Sequence, residues 1–345
     1  MISVKQDICY DSHCHLSPDI NAEGYLEDVV PILSSQTWPI NLMMTNHIDK
    51  QLLFSAMKDS TVMANRQIMF NVGIHPWFSH LYTFEDVDNI KDHKDFKLLH
   101  YRNVLDVYSR NRENPTEFDE VVRYLPFPFS IHKTVSEFRD ILTNSEYRQR
   151  IDIGEVGLDK LARIPQSGYL GNPEYPGGGG LTNYKVKMEH QVKVLEIQLE
   201  LSLSTCVDGI PKRISVHCVG CHGQMYGMLK KMDGKKMENN AIPAVVMHSY
   251  SGSVDNAKML LSKLEKIHIW FGISDVVNLS RTDSGRLEKL MTVIRDRVLV
   301  ETDLGIDRML EEHGMYLRLI REKLVAMGVP EVTLLDNWRE FVQEK

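Results

Sequence analysis

Residues 151–159, IDIGEVGLD, place Glu155 among the apolar residues Ile151, Ile153, Val156 and Leu158. The isoleucine, valine and leucine residues around it predict a buried strand. A carboxylate in such a strand must be paired or bound to a metal, because burying an unpaired charge is costly. Glu155 is therefore either a core residue paired with an arginine or a metal ligand whose two oxygens could bridge two cations. A run of this kind is typical of a barrel strand that delivers a ligand to its C-terminal end.

Four further runs end in residues that bind divalent metals well. They are DSHCH with His13 and His15, ISVH with His217, VVMH with His248, and VLVETD with Asp303. His13 and His15 are two positions apart, so on a strand both imidazoles point to the same side and can reach one cation. We expect Asp11, just before them, to hold an imidazole in place. Each histidine alone could be a hydrogen-bonded core residue. Glu301 is a rival to Asp303, because alternation puts both on the same face and near the metals. The joint placement of the whole set favours a metal centre.

Eight strand-like runs alternate with helical patterns along the chain. The predicted strands are Asp7–Leu16, Pro39–Thr45, Ile68–Trp77, Ile151–Leu158, Arg213–Val219, Ala244–Tyr250, His268–Ser274 and Val298–Asp303. Apolar residues at helical spacing predict helices at Leu26–Leu33, Tyr184–Leu203, Val254–Leu264 and Arg286–Ile294. Eight strands separated by helices predict an α/β fold, a TIM-type (β/α)8 barrel, as a single domain over residues 1–345.

Two segments are too long for ordinary βα connections and are predicted insertions, at residues 78–150 and 160–183. The first has helical patterns at Phe118–Tyr124 and Val135–Leu142. The second contains GNPEYPGGGG, which predicts a flexible loop. Both insertions follow a strand, so we expect both to emerge at the catalytic face.

Composition limits the class of protein. The chain has 345 residues, of which 43% are hydrophobic and 25% charged, which is typical of a soluble globular protein. The net charge of -7 argues against a broad basic face for duplex nucleic acid. Five cysteines do not indicate a disulfide framework. With no secretory signal pattern and no apolar run of roughly 18 residues, we expect no membrane association and a cytoplasmic location, with the nucleus as a second one.

Six motifs resemble, in their order, the TatD family of metal-dependent deoxyribonucleases in the amidohydrolase-like superfamily. They are DSHCHL, VGIHPW, GEVGLD, SVHC, MHSYSG and VETD. The resemblance covers nearly the whole chain and implies a TIM-type barrel with two divalent metals. It is closest to a divergent eukaryotic-type branch, because Cys218 follows His217 where the family has an arginine-bearing segment, and Leu304 follows Asp303 where the family has a proline.

The resemblance implies a role for each motif residue. One metal would be held by His13, His15, Glu155 and Asp303, and the other by Glu155, His217 and His248. Asp303 would accept a proton from the attacking water, and Glu155 would be the second catalytic residue. His75, in VGIHPW, would contact the substrate.

The expected function is hydrolysis of phosphodiester bonds in DNA, with a binuclear centre activating water. Histidine-rich ligation favours zinc or manganese, whereas the resemblance implies magnesium, so the expected cofactors are two divalent ions of Mg, Zn or Mn. The net acidity favours a DNA end or a small phosphodiester over a long duplex.

Three alternatives stay open. The chain could bind a protein partner through the 78–150 insertion, with a vestigial metal site. It could also catalyse another amidohydrolase-type reaction, on an amide, a lactone or a small phosphodiester. Residues 218–222, CVGCH, match a c-type haem attachment pattern. We discount the haem because no export signal is visible, and the cysteine pair could instead bind zinc or act as a redox pair.

Overall fold

The structure is a computed structural model of the 345-residue chain. It describes residues 9–16, 25–108, 115–144, 146–177, 179–235, 243–281, 283–305 and 312–343. Residues 7 and 8 of the first predicted strand, and Gly178 of the glycine-rich loop, lie outside these ranges.

Eight parallel strands form one sheet, in the order in which they follow along the chain. They are β1 (Asp11–His15), β2 (Ile40–Met43), β3 (Ile68–Val72), β4 (Ile151–Asp159), β5 (Ile214–Val219), β6 (Ala244–Met247), β7 (His268–Ile273) and β8 (Val298–Val300). The segment after β8 closes the sheet onto β1, because the Asp303 N–H donates to the His13 carbonyl at 3.0 Å and the His15 N–H donates to the Leu304 carbonyl at 2.9 Å. The predicted TIM-type (β/α)8 architecture is confirmed.

Twelve α-helices lie among the described residues. They are α1 (Tyr25–Ser34), α2 (His47–Ala56), α3 (Ser60–Ala64), α4 (His93–Val104), α5 (Pro115–Tyr124), α6 (Ile131–Asn144), α7 (Met188–Ser204), α8 (His222–Asp233), α9 (Val254–Lys263), α10 (Ser284–Ile294), α11 (His313–Ala326) and α12 (Glu331–Val342). The predicted helix at Tyr184–Leu203 begins too early, because Tyr184–Val186 is a short strand.

Several predicted strands end sooner than the sequence suggested. β3 stops at Val72, β6 at Met247 and β8 at Val300, so His75, His248 and Asp303 lie in the loops that follow. Parallel strands are buried on both faces and need apolar side chains throughout. These three polar residues therefore lie just past the last paired residue of their strands, where the backbone turns.

The core surrounds β4, whose nine residues are all buried. Helix α7 packs against this strand from outside. Gly157 has a φ of 156° and runs so close to β5 that a side-chain carbon there would overlap the His217 carbonyl oxygen. The missing side chain lets β4 and β5 approach, which brings Glu155 next to His217.

The two predicted insertions leave the C-terminal ends of β3 and β4 and are hydrogen-bonded to each other. Leu105–Val107 of the first pairs antiparallel with Tyr184–Val186, just after the second. The Asn172 amide donates to the Tyr124 carbonyl at 2.9 Å. Helix α4 was not predicted, because only three of its residues are buried and its apolar pattern is weak. None of the helices in the described part of the chain is long and apolar enough to cross a bilayer.

Candidate metal centre

Six side chains that the sequence singled out as metal ligands meet at the C-terminal mouth of the barrel. They are His13, His15, Glu155, His217, His248 and Asp303, and all but His13 line a cavity of about 250 Å³. His13 lies beneath it and is fully buried. The residues come from β1, β4, β5 and the loops after β6 and β8, so only barrel closure brings them together.

Glu155 is the centre of the cluster, and its two oxygens face different histidines. Oε2 lies 3.3 Å from His13 Nε2 and 3.5 Å from His15 Nε2. Oε1 lies 2.9 Å from His217 Nδ1 and 3.4 Å from His248 Nε2. Oε1 also lies 3.2 Å from His75 Nε2, so the carboxylate stands between two imidazoles on one oxygen and three on the other, and it has no arginine partner among the described residues.

Asp303 joins the first pair of histidines. Its Oδ1 lies 3.1 Å from His15 Nε2 and 3.9 Å from His13 Nε2. Asp303 has a φ of 60° and Ser249, after His248, has a φ of 39°. Left-handed backbone at non-glycine residues costs free energy and is held in place by its surroundings, which is common at functional sites.

The spacing of the ligand atoms fits a divalent cation. Ligands about 2.1 Å from a zinc-sized ion in tetrahedral or octahedral geometry lie about 3.0 to 3.4 Å apart. His13 Nε2 and His15 Nε2 are 3.1 Å apart, and their distances to Glu155 fall close to the same range. Three groups offer ligand atoms within 4.8 Å of one another: His13, His15 and Glu155; His13, His248 and Asp303; and His75, Glu155 and His217.

The far ring nitrogens of three histidines have partners of their own. His13 Nδ1 lies 2.8 Å from the Ser215 hydroxyl, His217 Nε2 donates to Asp159 at 3.2 Å, and His248 Nδ1 donates to Glu301 at 3.2 Å. Metal-binding histidines usually carry such a partner, which fixes the ring and its tautomer. The hydrogen-bond partners of the histidines therefore fit a metal centre, independently of the ligand spacing.

Sequence reasoning missed Ser215 and Asp159 and offered Glu301 only as a rival ligand. A signal existed for two of them, since Asp159 ends the IDIGEVGLD run and Ser215 lies two positions before His217 on β5. Glu301 instead supports His248 and also accepts the Ser249 N–H at 2.5 Å. Its other oxygen, Oε2, is buried without a hydrogen-bond partner among the described residues.

Asp11 does not hold a candidate ligand imidazole, contrary to our expectation. It accepts the backbone N–H groups of His13 and Thr302, each at 3.0 Å. It also contacts His313 Nε2 at 2.7 Å, on α11. Asp11 therefore ties β1 to the segment after β8 and positions His13 through its backbone.

His75 lies at the mouth with a defined hydrogen-bond pattern. Its Nδ1 accepts the Trp77 N–H at 3.2 Å, and its Nε2 lies 3.2 Å from Glu155 Oε1. Because Nδ1 is an acceptor, the neutral ring carries its proton on Nε2 and presents a donor to the cavity. Burial lowers the pKa of His75 to about 4, so the ring is neutral near pH 7.

The carboxylates of the cluster are ionised. Burial would raise the pKa of Glu155, but His75, His248 and His13 hold it well below its usual range. Burial would likewise raise the pKa of Asp303, yet His248 and His15 lower it. Burial would lower the pKa of His248, but Glu155, Asp303 and Glu301 raise it to about 10. The cavity therefore attracts positive charge, which a divalent cation would supply.

The pair Cys218 and Cys221 lies beside this cluster. Their sulfurs are 3.9 Å apart, and both residues are buried. His222, the last residue of the CVGCH pattern, does not form a cluster of metal-ligating atoms with them among the described residues. The two thiols are thus placed to react with each other.

The chain is similar to known proteins over most of its length. Residues 10–327 match the family model described as TatD related DNase. The chain is 30% identical over 300 residues to a Saccharomyces cerevisiae protein named Uncharacterized deoxyribonuclease YMR262W, covering 86% of this chain and 83% of that relative. It is 26% identical over 341 residues to the Schizosaccharomyces pombe Cut9-interacting protein scn1, covering 92% of this chain and 91% of that relative.

Proposed function

The chain belongs to the family of TatD-related DNases, and from this membership we propose that it is a deoxyribonuclease with two divalent cations in its catalytic centre. As a member it is a hydrolase of phosphodiester bonds, and the family is metal-dependent. The observation that carries the binuclear proposal is the division of Glu155, with Oε2 facing His13 and His15 and Oε1 facing His217 and His248.

The proposed ligands fall into two sets that share Glu155. His13, His15 and Asp303 complete one set, and His217 and His248 complete the other. When bound, divalent cations there supply Lewis acidity and neutralise the charge of the phosphodiester. Ser215, Asp159 and Glu301 keep the imidazole rings oriented, so the site is preorganised before substrate enters.

Asp303 is the proposed acceptor of the proton from the attacking water. Its side chain is 19% exposed, whereas that of Glu155 is 2% exposed, so Asp303 is the carboxylate that an incoming water can reach. The Ser249 hydroxyl donates to Asp303 Oδ2 at 3.5 Å, which leaves that oxygen loosely held and able to accept a proton. His75 Nε2–H would donate a hydrogen bond to a phosphoryl oxygen in place of Glu155.

The test pairs metal content with DNA cleavage. Purified protein should contain about two equivalents of divalent metal and should release nucleotides from single-stranded DNA. His217→Ala should lose metal and cleavage, whereas His132→Ala, on the exposed face of α6, should keep both. Cleavage that persists unchanged in His217→Ala would refute the proposed centre.

A protein-binding role is a second candidate, because the Schizosaccharomyces pombe relative is named for its interaction with Cut9. The 78–150 insertion would provide the surface. If the His217→Ala variant still rescues the defect of cells that lack this protein, protein binding is its function in the cell. Failure to restore it, with normal protein level, would favour catalysis.

A further inference from the structure

An exposed tryptophan stands at the mouth of the metal centre. Trp77 is 39% exposed and is the sole aromatic among the large apolar side chains that lie exposed on the described surface. It lines the same cavity as His15, Glu155 and Asp303. The position of the indole beside the cavity, and not its exposure alone, places a flat apolar face where a ligand of the metal centre can contact it.

The indole is held in a fixed orientation. Its Nε1–H donates to Asp159 Oδ2 at 2.7 Å, and its backbone N–H donates to His75. The ring meets His75 edge-on, with centroids 4.8 Å apart and an interplanar angle of 83°. The ring centroid of His217 lies 6.0 Å away. A ring that is already immobilised loses little entropy when a flat ligand packs on it.

Asp159, which accepts the indole N–H, is itself held in place by hydrogen bonds. Asp159 Oδ1 accepts the N–H groups of Leu161 and Ala162 at 2.7 and 2.9 Å. The backbone N–H and carbonyl of Asp159 are both hydrogen-bonded to the Gln191 side-chain amide. Trp77 therefore cannot swing away without breaking a buried carboxylate contact.

The cavity offers little else to attract a nucleic acid. Among the described residues that line it there is no lysine or arginine, and the whole chain carries a net charge of -7. Salt-dependent phosphate contacts, which supply most affinity in basic nucleic-acid binders, are therefore scarce here. Stacking on an aromatic ring is the sequence-tolerant contact that remains.

We propose that Trp77 is a stacking subsite for a nucleobase next to the scissile phosphodiester, which selects nucleic-acid ends with unpaired bases. The bases of a closed duplex are stacked on one another and cannot reach the ring, whereas a frayed or single-stranded end can. This inference rests on the proposed nuclease function and adds the recognition element that the metal centre lacks.

The test compares two substitutions that lose the same hydrogen bond. Trp77→Phe and Trp77→Leu both remove the Nε1–H contact to Asp159, but only the phenylalanine keeps a ring. Any effect transmitted through Asp159 and His217 is common to both, so the difference between the two variants reports stacking. On a single-stranded oligonucleotide, Trp77→Leu should have a KM about 5- to 150-fold higher than Trp77→Phe, with similar kcat.

An abasic residue placed successively near the end of the oligonucleotide locates the base that stacks. At one position it should abolish the difference in KM between the variants, because no base remains to contact the ring. Anisotropy titrations of the same labelled oligonucleotides in chelator, where no cleavage occurs, should show the same pattern in Kd. Equal affinities of the two variants on every oligonucleotide would overturn the stacking subsite.

The stacking subsite and the nuclease function can be refuted separately. Wild-type protein that cleaves DNA while the two variants stay equal would overturn Trp77 and leave the nuclease intact. Wild-type protein that cleaves no oligonucleotide would refute the nuclease, and the anisotropy titrations would still decide whether Trp77 stacks on a base. A difference in KM that persists at every abasic position would mean that the leucine acts through the fold, which also overturns the subsite.

Discussion

Gly272 on β7 offers a direct test of how the centre is supported. A methyl group added there would overlap Glu301 Oε2 and would lie 2.7 Å from Oε1 of the same carboxylate. Glu301 is fully buried, and Oε1 is held by His248 and the Ser249 N–H. The carboxylate cannot yield without releasing His248, so Gly272→Ala should disturb both packing and the candidate metal site.

The magnitude follows from two independent costs. Overpacking of a buried position costs about 1–3 kcal/mol. For 345 residues the entropy of unfolding is on the order of 0.7 kcal/mol per degree, so Tm should fall by roughly 1.5 to 4 °C. Loss of an orienting partner lowers metal affinity about 10- to 100-fold. Thermal unfolding in chelator measures the first cost, and metal titration measures the second.

Two further variants show whether the effect of Gly272→Ala comes from its contact with Glu301. Gly227→Ala, in α8, meets no atom within 4 Å and should stabilise the chain by about 0.5–1 kcal/mol, as alanine does within a helix. In a Glu301→Ala background, Gly272→Ala should cost little, because the carboxylate it would strike is gone. A Gly272→Ala protein with wild-type Tm and wild-type metal affinity would refute the assigned role of Glu301.

Three other outcomes are expected. Asp159→Asn should weaken metal binding about 10- to 100-fold, because the amide holds the His217 ring less firmly than the carboxylate does, and unchanged metal titration would contradict this. Hydrogen peroxide should convert Cys218 and Cys221 to one disulfide, the two thiols losing two hydrogens as peroxide is reduced to water. Their sulfurs are 3.9 Å apart, and peptide mass spectrometry that finds only other pairs, such as one with the exposed Cys206, would count against it. Burial lowers the pKa of Lys212 to about 8. Between pH 8 and 10 the unfolded chain holds the Lys212 proton that the folded chain has released. The free energy of unfolding of wild type relative to Lys212→Met should therefore rise with pH by up to about 1.4 kcal/mol per unit, and a flat difference would contradict it.

The candidate ligands could be found in the sequence because each one ends a local apolar pattern. Alternation along β1 sets His13 and His15 on one side, and Glu155 stands out because a carboxylate in a buried strand needs a partner. The eight-strand count also follows from local patterns, since each strand and helix has its own periodicity. Strand ends were less predictable, because pairing with neighbours, and not local propensity, decides where β6 and β8 stop.

The supporting residues could not be found in this way. The positions of Asp159 and Ser215 on their strands hint at the cluster but do not tell which imidazole each one contacts, and the partners of Asp159, Ser215 and Glu301 lie 53 to 202 positions away in the chain. Asp11 shows the same limit, since its neighbours in sequence suggested an imidazole partner and its neighbours in space are backbone groups of Thr302 and the ring of His313.

By itself, the sequence determined the fold class, the family and the residue types that can bind metal, because these depend on periodicity and on short motifs. Only the tertiary structure decided that Glu155 stands between two groups of imidazoles, that Asp303 meets His15 from 288 positions away, and that Trp77 is held by Asp159 at the mouth of the cavity. The physical reason is barrel closure. Contacts between the first and last strands exist only once all eight strands are in register, and no local stretch of chain encodes a distance across the barrel.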